Sequence, residues 1–258
     1  MDETNMNSER EAGVWLSGPN VAFAEIARRV GYRTAVLDIE HGAFDLADLE
    51  RFIPTLKGLG FEVYAKVMGP FREAIQQALD FGSDAVIIPH IEGVDHAKRV
   101  CSFAKFPPLG DRSSAGGRTS NYGVANDAWF QEQDRKTCCI PMIEDARALA
   151  DVEAILDLPV VDGVFIGPTD LSLRRNRGAY KRSDGDWNDI RTICEAARAA
   201  SKPWIFPAWS SEEKRFAFEH GAHRVLLTME HMAMAAGLRE AWDDALAQRQ
   251  DRLKGNGQ

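Results

Sequence analysis

Apolar and polar positions follow two alternating rhythms along the chain. Short apolar runs read as strands: Gly13 to Leu16, Thr34 to Ile39, Ala85 to Ile88, Cys139 to Ile143, Gly163 to Ile166, Pro203 to Phe206 and Arg224 to Thr228. Glu62 to Val67 adds a strand that alternates strictly. Between these runs, apolar residues recur at helical spacing over Val21 to Val30, Leu46 to Leu59, Phe71 to Phe81, Asp95 to Phe106, Ala146 to Leu156, Trp187 to Ala200, Ser211 to His220, and from His231 onward. Strands apolar on both faces, alternating with amphipathic helices, imply a parallel sheet. Eight such units in 258 residues predict a single-domain α/β fold, a (β/α)8 TIM barrel over residues 13–250. Residues 1–12 read as a disordered polar lead and 251–258 as a polar tail. A doubly wound sheet is the alternative, but no Gly-x-Gly-x-x-Gly opens the first helix.

Two stretches break the rhythm. Pro107 to Lys136 is too long for an ordinary connection, and Leu173 to Asp186 is rich in arginine, glycine and aspartate. Either is long enough to cover a substrate. The formal net charge of −8 gives no basic face for nucleic acid, and no apolar run is long enough to cross a membrane. No basic stretch, apolar run and cleavage site open the chain, so a cytoplasmic location is expected. Cys101, Cys138, Cys139 and Cys194 show no zinc spacing and read as reduced thiols. On a strand, Cys138 and Cys139 point to opposite faces and cannot pair with each other.

The chemistry gathers where strands end, the rim that carries the active site of a parallel barrel. Asp38-Ile-Glu40-His41, Ile143-Glu144 and Gly167-Pro168-Thr169-Asp170 each follow an apolar run. Glu144 and Asp170 fall on neighbouring strands, and two carboxylates completed by water and substrate suit Mg²⁺ or Mn²⁺. Helix-capping and turn roles account for the same two residues on spacing alone. His41 reads either as a structural histidine or as a proton shuttle, a role that needs a carboxylate partner, with Asp38, Glu40 and Asp80 available. His90 ends the fourth strand and is expected to line the site. Lys66, on the third strand, either snorkels to solvent or faces an anionic substrate group. Arg112 and Arg118 offer guanidinium groups for a carboxylate or phosphate.

Taken together, Gly13-Val-Trp15-Leu, Leu37-Asp38-Ile-Glu40-His41, Leu79-Asp80-x-Gly82, Phe106-Pro-Pro-x-Gly110-x-Arg112, Ile143-Glu144 and Val161 to Ser172 resemble the HpcH/HpaI aldolase family, the 2,4-dihydroxyhept-2-ene-1,7-dioate aldolases and their relatives. The resemblance runs from about Gly13 to Trp242. It implies a barrel assembled as a hexameric homo-oligomer with the last helix exchanged between partners. It implies a divalent-metal-dependent class II aldolase that cleaves or forms 4-hydroxy-2-oxo acids from a 2-oxo acid such as pyruvate and an aldehyde. Glu144 and Asp170 then ligate the metal, His41 with Asp80 forms the base, and Asp38 supports it. Gly167 and Pro168 lie beside the donor carboxylate, and Trp15 borders the pocket. Two positions depart from the family pattern: Lys66 stands where arginine is usual, and Met142 where glutamine is usual. Lysine keeps the charge but loses the planar fork. That change leaves two alternatives open. One is a 2-oxo acid decarboxylase or other non-aldol lyase on the same scaffold, and the other is a metabolite-binding barrel with little activity.

Overall fold

The computed structural model describes residues 12–255, and the expectations for residues 1–11 and 256–258 lie outside that range. Eight parallel strands close into a barrel in sequence order. They are β1 (Ala12–Leu16), β2 (Thr34–Asp38), β3 (Glu62–Lys66), β4 (Ala85–Ile88), β5 (Cys138–Ile143), β6 (Val164–Ile166), β7 (Trp204–Pro207) and β8 (Arg224–Met229). The hydrophobic runs locate every strand to within one residue. Ala12, expected in the disordered lead, pairs with Val225 of β8 and so belongs to the barrel.

The helices are α1 (Val21–Val30), α2 (Leu46–Gly58), α3 (Arg72–Asp80), α4 (Val94–Cys101), α5 (Asp127–Lys136), α6 (Ala146–Ala150), α7 (Val152–Leu156), α8 (Pro168–Arg174), α9 (Asp184–Ala199), α10 (Ser211–Glu219) and α11 (Glu230–Gly255). Asp45, Ser183 and Ser210 start α2, α9 and α10 with reciprocal capping boxes, which satisfies orphan backbone donors at those ends.

Alternate residues of each strand serve two separate cores, as the period of two requires. Trp15, Val36, Tyr64, Ile87, Met142, Phe165, Ile205 and Leu226 fill the barrel interior. Val14, Leu37, Val63, Ile88, Ile143, Ile166 and Val225 face the other way, in the core shared with the helices. Cys138 packs against the inner cluster while Cys139 belongs to the outer one, and all four cysteines are free. Among the described residues, no helix is long and apolar enough to cross a membrane.

Four expectations about connections need correction. The Pro107 to Lys136 stretch ends in α5, capped by Asn126. No α5 residue is fully buried, so it carried no amphipathic signal. The helix expected over Ala146 to Leu156 breaks at Asp151 into α6 and α7. Leu173 and Arg174 complete α8, which leaves only residues 175–183 irregular. The expected tail from 251 continues α11 as far as Gly255, the first glycine after Gly237.

Candidate active site

Asp38 and Lys66 are the last residues of β2 and β3 and pair in register. That register sets the lysine ammonium 3.1 Å from Asp38 Oδ1, and it also lies 2.5 Å from Glu40 Oε2. Asp38 and Lys66 are buried and Glu40 is half-buried. Trp15 Nε1 donates to Asp38 Oδ2 at 3.1 Å, and the His41 backbone N–H donates to Asp38 Oδ1 at 3.3 Å. Asp38 is therefore saturated with donors. The turn after β2 is pinned at Gly42, where a Cβ would lie 2.7 Å from the Ser17 carbonyl oxygen and closer still to that of Asp38. Burial alone would raise the Glu40 carboxyl, but the Lys66 bond and charge, with His90 and His41, hold it below the ordinary glutamate range.

Glu144 follows β5 and is buried. Its Oε1 accepts the His90 backbone N–H at 2.6 Å. His90 occupies the left-handed region (φ 59°), a conformation that orients this N–H toward the carboxylate. Its Nε2 lies 2.5 Å from Glu40 Oε1, and because that carboxylate is ionised the ring nitrogen is the donor. His90 thus ties the Glu40 and Glu144 carboxylates together. Burial and the neighbouring Asp170 charge raise Glu144 above the ordinary glutamate range, against the opposing pull of His90. Gly167 is required beside it, since a Cβ there would lie 2.7 Å from Glu144 Cβ.

A cavity of about 230 Å³ opens at these strand ends. Trp15, Asp38, His41, Lys66, Gly167, Pro168 and Asp170 line it, as does Met142. Sequence reasoning missed Tyr180 and Trp209, which also line it. Trp209 was findable, standing two residues beyond the end of β7, whereas Tyr180 arrives on an irregular segment. A larger apolar groove of about 500 Å³ lies by α2 and α3, and none of the strand-end carboxylates lines it.

Other expected residues are elsewhere. Within the chain, Asp80 at the end of α3 does not line the cavity, and its carboxylate lies 2.6 Å from Arg112 Nη2. His41 instead has Glu40 as its acid partner, at 3.5 Å. Arg112 is buried and does not line the cavity; its Nη2 meets Asp80 and its guanidinium lies 4.7 Å from the Phe106 ring, which holds the 107–126 segment against α3. Ser113 donates its backbone N–H to Gln76 at 2.8 Å, and Arg72 pairs with Asp111, which fastens the same segment outside the barrel. Arg118 lies 3.5 Å from Glu50. His90 positions carboxylates rather than lining the cavity.

The sequence model of the HpcH/HpaI aldolase/citrate lyase family matches residues 11–214. The chain is 30% identical over 169 residues to the 2-keto-3-deoxy-L-rhamnonate aldolase of Klebsiella pneumoniae, which covers 65% of this chain and 63% of that protein. It is 28% identical over 243 residues to the enzyme of that name from Escherichia coli O157:H7, which covers 93% of this chain and 88% of that one. A crystal structure of an HpcH/HpaI aldolase/citrate lyase family protein from Burkholderia cenocepacia J2315 superposes with a TM-score of 0.84 at 23% identity, covering 95% of this chain and 99% of that chain.

Proposed function

Because the chain belongs to the HpcH/HpaI aldolase/citrate lyase family and is a lyase of the aldolase kind, we propose that it is a divalent-metal-dependent class II aldolase that cleaves or forms 4-hydroxy-2-oxo acids. The observation that carries this reading is the charge balance at the rim. Asp38 and Glu40 share the one ammonium of Lys66, Asp170 lines the same cavity, and Glu144 is held above the ordinary range by burial beside Asp170. Such a surplus fits a hard cation, and an all-oxygen set of two carboxylates fits Mg²⁺ or Mn²⁺, which keep several waters. Among the described residues, no group of three or more His, Cys, Asp or Glu converges on one point, so water and substrate would complete the shell. Glu144 and Asp170 would hold the ion. When bound, it supplies Lewis-acid polarisation of the 2-oxo group and charge stabilisation for the enolate.

The chain's own groups divide the remaining work. His41 takes the proton of the 4-hydroxyl, with Glu40 beside its ring to stabilise the imidazolium. The C3–C4 bond breaks, the aldehyde departs, and the electron pair moves onto the 2-oxo oxygen. The same histidine returns the proton to C3, giving the 2-oxo acid. Lys66 has two ammonium hydrogens committed to Asp38 and Glu40, and the third is left for a substrate oxygen. Gly167 and Pro168 border the donor carboxylate. We also propose a homo-oligomer, supported by Met234, Leu238, Trp242 and Leu246, which are exposed at i, i+4 spacing along α11.

The test is a screen of chelator-treated and Mg²⁺- or Mn²⁺-reloaded protein with pyruvate and aldehydes, with 2-keto-3-deoxy-L-rhamnonate, and with oxaloacetate. The expected result is metal-dependent carbon–carbon bond formation that Glu144→Gln and Asp170→Asn each abolish. Turnover of oxaloacetate alone would replace the aldolase reading with a decarboxylase. No turnover of any compound would leave a binding barrel.

A further inference from the structure

The two sides of the cavity differ in chemistry. Asp38, His41, Lys66, Thr169 and Asp170 make one side polar. The rest of the lining is largely apolar and includes Trp15, Phe165, Tyr180, Pro207, Trp209 and Met229, with the Lys66 ammonium 5.7 Å from the Trp15 ring. Three of these rings form a continuous aromatic surface: Trp15 lies 5.9 Å from Phe165 at a tilt of 55°, and 6.4 Å from Trp209 in an edge-on contact at 89°.

Two of the polar side-chain groups on this wall already serve protein partners. The Trp15 indole N–H is given to Asp38, and the Tyr180 hydroxyl lies 2.9 Å from Glu213 Oε1. Burial, then the Glu213 charge, pushes the Tyr180 phenol upward, so it stays neutral and donates to that carboxylate. Phe165 has no polar side-chain atom, Met229 only a weakly accepting sulfur, and Pro207 no N–H. What Trp15 presents to a ligand is therefore its ring surface, and Tyr180 keeps only the accepting side of its oxygen beside its ring.

The wall is also preorganised. Tyr180 rides on residues 175–183, which are tied down by ion pairs to buried acids. Arg177 reaches Asp186 at 2.9 Å and Asp189 at 2.6 Å, and Arg182 reaches Glu213 at 3.0 Å. Ser172 Oγ donates to the Gly178 carbonyl at 3.0 Å.

We infer that the acceptor half of this cavity takes an apolar, branched or aromatic aldehyde without a hydroxyl next to its carbonyl. The inference rests on the aldolase reading for the donor half, whose oxo acid occupies the polar side. A hydroxylated aldehyde would lose its water against the ring faces of Trp15, Phe165 and Trp209, and a ring face does not replace the hydrogen bonds that water made. Size agrees: an apolar cavity of about 150 Å³ holds a benzene ring, and this one offers about 230 Å³ for the oxo acid and a compact acceptor.

The test compares kcat/KM for cleavage of 4-hydroxy-2-oxo-4-phenylbutanoate and of 4,5-dihydroxy-2-oxopentanoate by the Mg²⁺-loaded enzyme. The phenyl compound is expected to be favoured by at least about tenfold. Trp209→Ala is expected to collapse that ratio, Trp209→Phe to retain it, and Met229→Gln, which sets an amide on the wall, to shift it toward the hydroxylated substrate. A wild-type ratio at or below unity would overturn the inference. If neither compound is cleaved under any metal, the aldolase reading fails, and the subsite is then decided by ligand-observed NMR. Saturation transfer to benzaldehyde that exceeds transfer to glycolaldehyde and is lost in Trp209→Ala supports the apolar wall, and equal or weaker transfer overturns it.

Discussion

Lys66 is the residue on which the rim turns. Its ammonium sits between the buried Asp38 carboxylate and the half-buried one of Glu40, and removal of one member of such a cluster leaves uncompensated charge in a low-dielectric site. Lys66→Met is expected to lower unfolding free energy by about 3–5 kcal/mol, measured by chemical denaturation. A change below about 1 kcal/mol, the scale of an exposed pair, would show that the cluster is solvated. The opposite expectation holds for Arg112. Its partner Asp80 is partly exposed and can be rehydrated, so Arg112→Ala should cost about 1.5–3 kcal/mol of stability and leave the KM for the 2-oxo acid unchanged. A tenfold rise in KM would restore it to the substrate site. These residues mark where sequence reading stopped. A motif places Asp80 and Arg112 in the chain but does not say which charge each one meets. The strand-end positions of Asp38 and Glu144 were legible because a parallel barrel sends every strand end to one rim, whereas Asp170, expected on a strand, reaches the rim from the first turn of α8.

At the scale of elements, the 175–183 segment depends on a carboxylate from another element. Glu213, in the first turn of α10, receives Arg182, Tyr180 and the Ser210 backbone N–H. Burial would raise its carboxyl, but Arg182, Ser210 and Tyr180 together hold it below the ordinary value. The unfolded chain therefore takes up this proton first as pH falls. The stabilisation is fully present above the ordinary glutamate pKa of about 4.3 and is lost as pH falls through the lowered value. Glu213→Gln should reduce stability at neutral pH and flatten its acid dependence in thermal unfolding scans, and an unaltered acid limb would contradict this linkage. No periodicity announces such a segment, because side chains tether it to another element rather than backbone repeat. The same reason hid α5, whose side chains none of them fully bury, while the eight strands, buried on both faces, were plain in the hydrophobic pattern.

At the scale of the whole molecule, strand order and register bring side chains as far apart in sequence as Trp15, Asp170 and Met229 to one opening. The exposed apolar stripe along α11 belongs to this scale too. If it is an interface, sedimentation should give a mass that is a multiple of 28.6 kDa, and Leu238→Lys with Trp242→Lys should reduce it toward a single chain. A single-chain mass for the unaltered protein would remove the homo-oligomer.

Enolate formation is the step common to every aldol substrate, so it can be tested without knowing the acceptor. Pyruvate would be incubated with the protein in D₂O, and loss of its methyl proton signal followed by NMR on chelator-treated and Mg²⁺-reloaded samples. Exchange that appears only with the cation, and disappears in Glu144→Gln and in Asp170→Asn, is the expected result. Exchange that survives both chelation and the loss of these carboxylates, or no exchange with Mg²⁺ or Mn²⁺ present, would contradict a metal-dependent 2-oxo acid enolate at this rim.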